Sequence, residues 1–143
     1  MVSNFTKVRV IYADTDAMGI VYHTNYIRWF EIGRNELMRQ LGVAYTEMEK
    51  LGLNLPLTKV NCHYLLSAKY DQIVTVETKI DYIKRASIKF NSQIWDEEGK
   101  KLLVEGSTIH ACTNMEGKIR RLPQLLLDLI TKYNINKGEQ YVS

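Results

Sequence analysis

From Phe5 to Tyr12 apolar and polar residues alternate with a period of two, which places Val8, Val10 and Tyr12 on one face and Lys7, Arg9 and Ile11 on the other. That is the pattern of a strand. A polar stretch through Gly19 ends it. From about Asn25 the period lengthens: Tyr26, Trp29, Phe30, Gly33, Leu37 and Leu41 recur at helical spacing, while Arg28, Glu31, Glu36 and Arg39 project elsewhere. Gly42 is a natural terminator, and a helix of roughly 17 residues would be about 25 Å long. Glu31 and Arg34, three apart, are spaced to pair on its flank.

The rest of the chain reads as strands. Between Pro56 and Thr113 lie three or four long runs rich in Val, Ile, Thr and aromatic residues. "DQIVTVETKIDYI" alternates, with Ile73 and Thr75 expected inward, and "SIKFNSQIWDEEGKKLLVEGSTIHACTN" gives two strands joined at "DEEGK". "NMEGK" marks another turn. Leu122 to Tyr133 then forms a short helix behind Pro123, and the polar tail from about residue 134 is expected to fray. The expected class is α+β, a long central helix wrapped by a curved antiparallel sheet. Long apolar strands leave edges, and a homodimer or tetramer that continues the sheet across a two-fold axis would remove them.

Composition narrows the class without changing it. The 143 residues suffice for a single domain spanning 1–143, and 45% hydrophobic with 24% charged residues is ordinary for a globular protein. A net charge of +3 makes no case for nucleic acid. The N-terminus lacks the apolar run of a signal peptide and no stretch is long enough for a membrane span, so a cytoplasmic location is expected. Cys62 and Cys112 lack metal-site spacing and sit among strand residues, as buried free thiols do.

The candidate chemistry lies between the first strand and the helix. "YADTDAMGIVYHTNY", Tyr12 to Tyr26, holds two aspartates, a glycine, a histidine and three tyrosines. Asp14 and Asp16 could bind a cation, but no third ligand stands at a suitable spacing, and either could simply cap the turn. The helix that follows offers unpaired amides and a positive dipole end, able to stabilise an anion or a carbonyl oxygen that becomes negative. No G-x-S-x-G elbow is present, and Ser107 sits within a predicted strand. A thiolate, whose conjugate acid has a pKa of about 8.5, leaves without strong acid assistance, so a carboxylate plus an oxyanion site is adequate for thioesters.

"VRVIYADTDAMGIVYHTNYIRWFEIGR" resembles the N-terminal signature of the hotdog-fold acyl-CoA thioesterases of the 4-hydroxybenzoyl-CoA thioesterase family, in its YbgC-like branch, and the likeness runs through "YDQIVTVET" to about Thr113. The resemblance implies hydrolysis of an acyl-CoA substrate without metal or bound cofactor. It implies Asp16 as the catalytic carboxylate, nucleophile or general base, with Tyr12 and His23 beside it and the His23 backbone amide polarising the carbonyl. Gly19 would let the chain approach the acyl group closely. Val21, Tyr22 and Asn25 fall among the substrate-contacting positions, although capping suits Asn25 equally well. Lys84, Arg85 and Ser87 match a basic stretch that meets the nucleotide end of coenzyme A; Lys118, Arg120 and Arg121 form a second cluster. Glu31 is the alternative carboxylate, since other hotdog thioesterases carry theirs on the central helix. His63 and His110 have no comparable context and read as structural. Two rivals are a hotdog dehydratase or hydratase, which the D-T-D-x-x-G motif disfavours, and a non-catalytic acyl-CoA binding module.

Overall fold

The computed structural model describes residues 2–136, so most of the expected polar tail lies outside the described residues. Strand β1 (Ser3–Arg9) leads through one 3-10 turn (Tyr12–Asp14) to helix α1 (Thr24–Leu41), a short helix α2 (Tyr45–Lys50) and strands β2 (Leu53–Asn54) and β3 (Leu57–Tyr64). Strands β4 (Ile73–Ile83), β5 (Ser87–Asp96), β6 (Leu102–Ala111) and β7 (Thr113–Asn114) precede the last helix, α3 (Gln124–Asn136). Five strands form one antiparallel sheet in the order β1-β4-β5-β6-β3, and β2 pairs with β7. Among the described residues no helix is long and apolar enough to cross a membrane.

α1 buries the face its periodicity predicts: Tyr26, Trp29, Phe30, Gly33, Leu37 and Leu41 are all buried, and Gly42, at φ +91°, ends the helix in the left-handed conformation. Its first half packs with Val74, Val76 and Ile94, its second with Ile80, Phe90, Leu126 and Ile130. Gly33 sets how closely helix and sheet approach, because a β-carbon there would collide with Thr78 Oγ1 and stand 2.9 Å from Val76 Cγ1.

Two expectations require correction, and one element was not anticipated. β1 ends at Arg9; ladder-like pairing carries on to Val10, which exchanges backbone bonds with Asp71 and Gln72, and then the Asp14 carboxylate captures the Ile11 N–H at 3.0 Å and turns the chain, leaving Ile11 and Tyr12 exposed. In β4 the helix-facing residues are Val74, Val76, Thr78 and Ile80 instead of Ile73 and Thr75. Thr75 is buried on the opposite face, where its hydroxyl donates to the Glu97 carbonyl. Finally, α2 was not legible from periodicity, since in six residues it buries only Met48.

Candidate active site

The polar segment folds into a small hairpin-like loop. Thr15 bridges to Val21, the Asp16 N–H donates to the Ile20 carbonyl at 2.9 Å, and the Gly19 N–H donates to the Asp16 carbonyl at 3.0 Å. Asp16 therefore stands half-buried at the neck of the loop. Its Oδ1 accepts the Met18 N–H at 2.8 Å, and its Oδ2 takes no hydrogen bond among the described residues. Gly19 sits at φ +78° with nothing within 4 Å of a β-carbon placed there. Its backbone conformation, more than crowding in the chain, accounts for the glycine.

Asp14 does different work. It is buried, with Oδ1 accepting from Arg28 Nη2 at 2.7 Å and Oδ2 from the Ile11 N–H. Its carbonyl accepts the Tyr22 N–H and the Asn25 side-chain amide, both at 2.8 Å. One residue thus ties the exit of β1, the returning arm of the loop and the first turn of α1 together. Asn25 braces that junction, its own N–H donating to the Tyr22 carbonyl.

At the start of α1, His23 occupies the N-cap position, and neither its N–H nor that of Thr24 finds an acceptor among the described residues. Such first-turn donors carry the positive end of the helix dipole. Val21 is buried, its N–H held by the Ala68 carbonyl at 3.0 Å, while Tyr22 is partly exposed beside the His23 ring at 4.4 Å. The His23 ring lies edge-on to Tyr64, whose hydroxyl donates to the His23 carbonyl at 3.0 Å. Tyr12 points away into solvent, 78% exposed, and meets Tyr70 edge-on. Neither the Tyr12 hydroxyl nor the His23 imidazole bonds Asp16 among the described residues. The structure brings together Asp16, Gly19, Val21, Tyr22, Asn25 and the His23 backbone.

Lys84, Arg85 and Ser87 lie elsewhere. The Asp16 loop is fastened to the segment entering β4, through Ile20 and Lys69, whereas these three occupy the β4–β5 turn. The 11 residues of β4 separate them by roughly 35 Å at the usual rise per residue. Lys84 Nζ sits over the Tyr82 ring at 4.5 Å, and Arg85 and Arg121 line one cavity of about 560 Å³. Ser87 is half-buried at the start of β5, and Lys118 and Arg120 are exposed.

The expected Glu31–Arg34 ion pair does not form. Arg34 is turned inward, 8% exposed, and faces a cavity of about 490 Å³ with Tyr45 and His110. Its spacing from Tyr26 and Phe30 is compatible with the apolar stripe, just as its spacing from Glu31 is with a flank pair. His110 is buried, its two ring nitrogens each 3.0 Å from a partner, the Leu55 carbonyl and Thr108 Oγ1. Burial, reinforced by the Arg34 charge, pulls its pKa down to about 4, so the ring is neutral at pH 7.

Residues 10–130 match the thioesterase-like superfamily. YneP of Bacillus subtilis is 34% identical over 77% of this chain and 79% of its own, and the acyl-CoA thioesterase YbgC of Haemophilus influenzae is 34% identical over 79% and 82%. A DHNA-CoA thioesterase from Staphylococcus aureus superposes with a TM-score of 0.87 at 33% identity, covering 97% of each chain. A hotdog-type helix and sheet, a loop that presents a carboxylate beside open helix amides, and a match along most of the sequence agree: the chain belongs to the thioesterase-like superfamily.

Proposed function

We propose that the chain is an acyl-CoA thioesterase in which Asp16 acts on the thioester carbon and the amides at the start of α1 receive the carbonyl oxygen. One observation carries this reading. Asp16 has one carboxylate oxygen anchored to Met18 and the other unclaimed, on a loop whose returning arm runs directly into the unpaired N–H groups of His23 and Thr24. The free oxygen either attacks the acyl carbon or takes a proton from an attacking water. Negative charge then develops on the carbonyl oxygen, where preorganised amides at the positive end of a helix stabilise it. When water is the nucleophile, collapse of the adduct expels coenzyme A as a thiolate and frees the carboxylic acid. When Asp16 is the nucleophile, collapse expels the thiolate and leaves an acyl–Asp16 anhydride, which a water then hydrolyses to the carboxylic acid and the free carboxylate. The relatives named acyl-CoA thioesterases support the substrate class. The exposed His23 ring, next to Tyr22 and Tyr64, lies where it can relay a proton at the mouth of the loop.

The same reading calls for a second copy of the chain. β3 is an outer strand with one edge unpaired, and Leu57, Val60 and Tyr64 on it are 47%, 41% and 43% exposed. Antiparallel pairing of β3 with its copy would cover that edge. A two-fold axis normal to the sheet reverses the second copy, which sets its β4–β5 turn at the same end as the first copy's Asp16. Lys84, Arg85 and Ser87 would then serve the nucleotide phosphates across the interface, as they cannot within one chain.

The test is thiol release from a panel of acyl-CoA esters by the purified protein. Release with free carboxylic acid as co-product supports the reading. Tight binding of coenzyme A without release would favour a non-catalytic binding module.

A further inference from the structure

α1 buries one cation among its apolar residues, and nothing in the thioesterase reading uses it. Arg34 is more than nine-tenths buried, its Nε–H has no acceptor, and it makes no ion pair among the described residues, although Glu31 stands one helical turn away and Glu49 lines the same cavity. Two carboxylates at the cavity already offset its charge, so what burial leaves costly is the Nε–H without an acceptor. The cavity in front of it, about 490 Å³, is large enough for part of a ligand.

The cavity lies along the helix from the reacting centre. Arg28 reaches Asp14 beside the Asp16 loop; Glu31 follows one turn on, then Arg34 and Asn35. From Thr24 to Arg34 the helix rises about 15 Å. An acyl group whose thioester sits at the start of α1 reaches Arg34 when it is an extended chain of medium length, and a short acyl group does not.

The lining says what the far end should be. His110 offers no charge, because its ring is neutral and both nitrogens are engaged: Nδ1–H donates to the Leu55 carbonyl and Nε2 accepts from Thr108. Burial pushes the Tyr45 phenol up, so it stays protonated; its oxygen accepts from Arg34 and its O–H is a further neutral donor. Glu31 and Glu49 are exposed where Arg34 and His110 are buried, so two carboxylates form the rim and one guanidinium the floor. An acid-terminated chain must pass that rim. A hydroxyl or carbonyl oxygen meets no such repulsion and accepts from the guanidinium, whereas an alkyl end leaves the Nε–H without an acceptor.

We infer that this cavity holds the distal end of the acyl group and selects acyl-CoAs whose acyl moiety carries a neutral oxygen about 15 Å along the helix from the thioester. The inference rests on the thioesterase reading and names the substrate class of that site.

Three thioesters of matched length test it: decanoyl-CoA, ω-hydroxydecanoyl-CoA and the mono-CoA thioester of decanedioic acid, compared by kcat/KM. The hydroxy ester should exceed the alkyl ester by about tenfold to a hundredfold, the range a hydrogen bond to a charged group supplies, and should also exceed the acid-terminated ester. Arg34→Met should bring the hydroxy-to-alkyl ratio near unity. An unchanged ratio in Arg34→Met, or an alkyl preference in the natural chain, overturns the inference. Should Arg34→Met fail to fold, Glu31→Gln with Glu49→Gln on the exposed rim decides: the acid-terminated ester should gain about tenfold on the hydroxy ester, and no gain overturns it. If no thioester is cleaved, the hydrolase reading fails by itself. Calorimetric titration of the three esters onto Asp16→Asn still tests the cavity, and equal Kd values for all three would overturn it.

Discussion

Asp14 and Asp16 are separated by one threonine, yet the first is buried against Arg28 and the second keeps a carboxylate oxygen unclaimed. Asp14 holds the loop, and in the proposed mechanism Asp16 is the carboxylate that reacts. Asp14→Ala removes the acceptor of the Ile11 N–H and of Arg28 Nη2; because Arg28 is partly exposed, the loss should be about 1–3 kcal/mol in urea unfolding. With the loop untied, kcat should fall by roughly tenfold or more through lost orientation. Unchanged stability and unchanged kcat would contradict the bracing role. His110 makes a separate prediction. Its folded pKa of about 4 lies below the ordinary 6.5, so at intermediate pH the unfolded chain binds the extra proton. Stability from this group is therefore full above pH 6.5 and declines as pH falls towards 4, by about 3 kcal/mol in all. His110→Gln should flatten that part of the stability profile, and an equally steep decline in the variant would assign it to other groups.

At the scale of elements, α1 fits against β4 because Gly33 has no side chain. Gly33→Ala forces a methyl into Thr78 and Val76, and overpacking of this kind should cost about 1–3 kcal/mol, read as a lowered Tm. A variant as stable as the parent would show that the helix can lift without loss. The buried stripe of α1 was legible because Tyr26, Trp29, Phe30, Leu37 and Leu41 keep one period for the whole helix. β4 was less so: Ile73, Val74, Thr75 and Val76 are all strand formers, Thr75 is buried on the outer face as well, and alternation alone could not choose the inward set. The candidate loop announced itself by crowding polar residues where the period changes from two to 3.6. Arg34 stayed hidden because a charged residue three from Glu31 fits a solvent-side pair equally well, and only the packed helix shows it turned inward.

For the whole molecule, the candidate site and the basic turn lie at opposite ends of one sheet, so the proposal that this turn meets the nucleotide calls for a second copy. Val60→Asp on the unpaired edge of β3 should convert the assembly to monomer in sedimentation experiments and sharply reduce kcat/KM for coenzyme A esters. A fully active monomer would remove the need for a second copy. In the assembled protein, Lys84→Ala with Arg85→Ala should raise KM for coenzyme A esters and spare small thioesters without a nucleotide; equal losses on both would separate this turn from the phosphates. The most direct measurement is of thiol release by Asp16→Asn beside the parent protein, with coenzyme A ester binding followed in parallel. The account predicts a loss of kcat by several powers of ten, with Tm and Kd close to those of the parent. Retention of most of the parent's turnover by Asp16→Asn would contradict it.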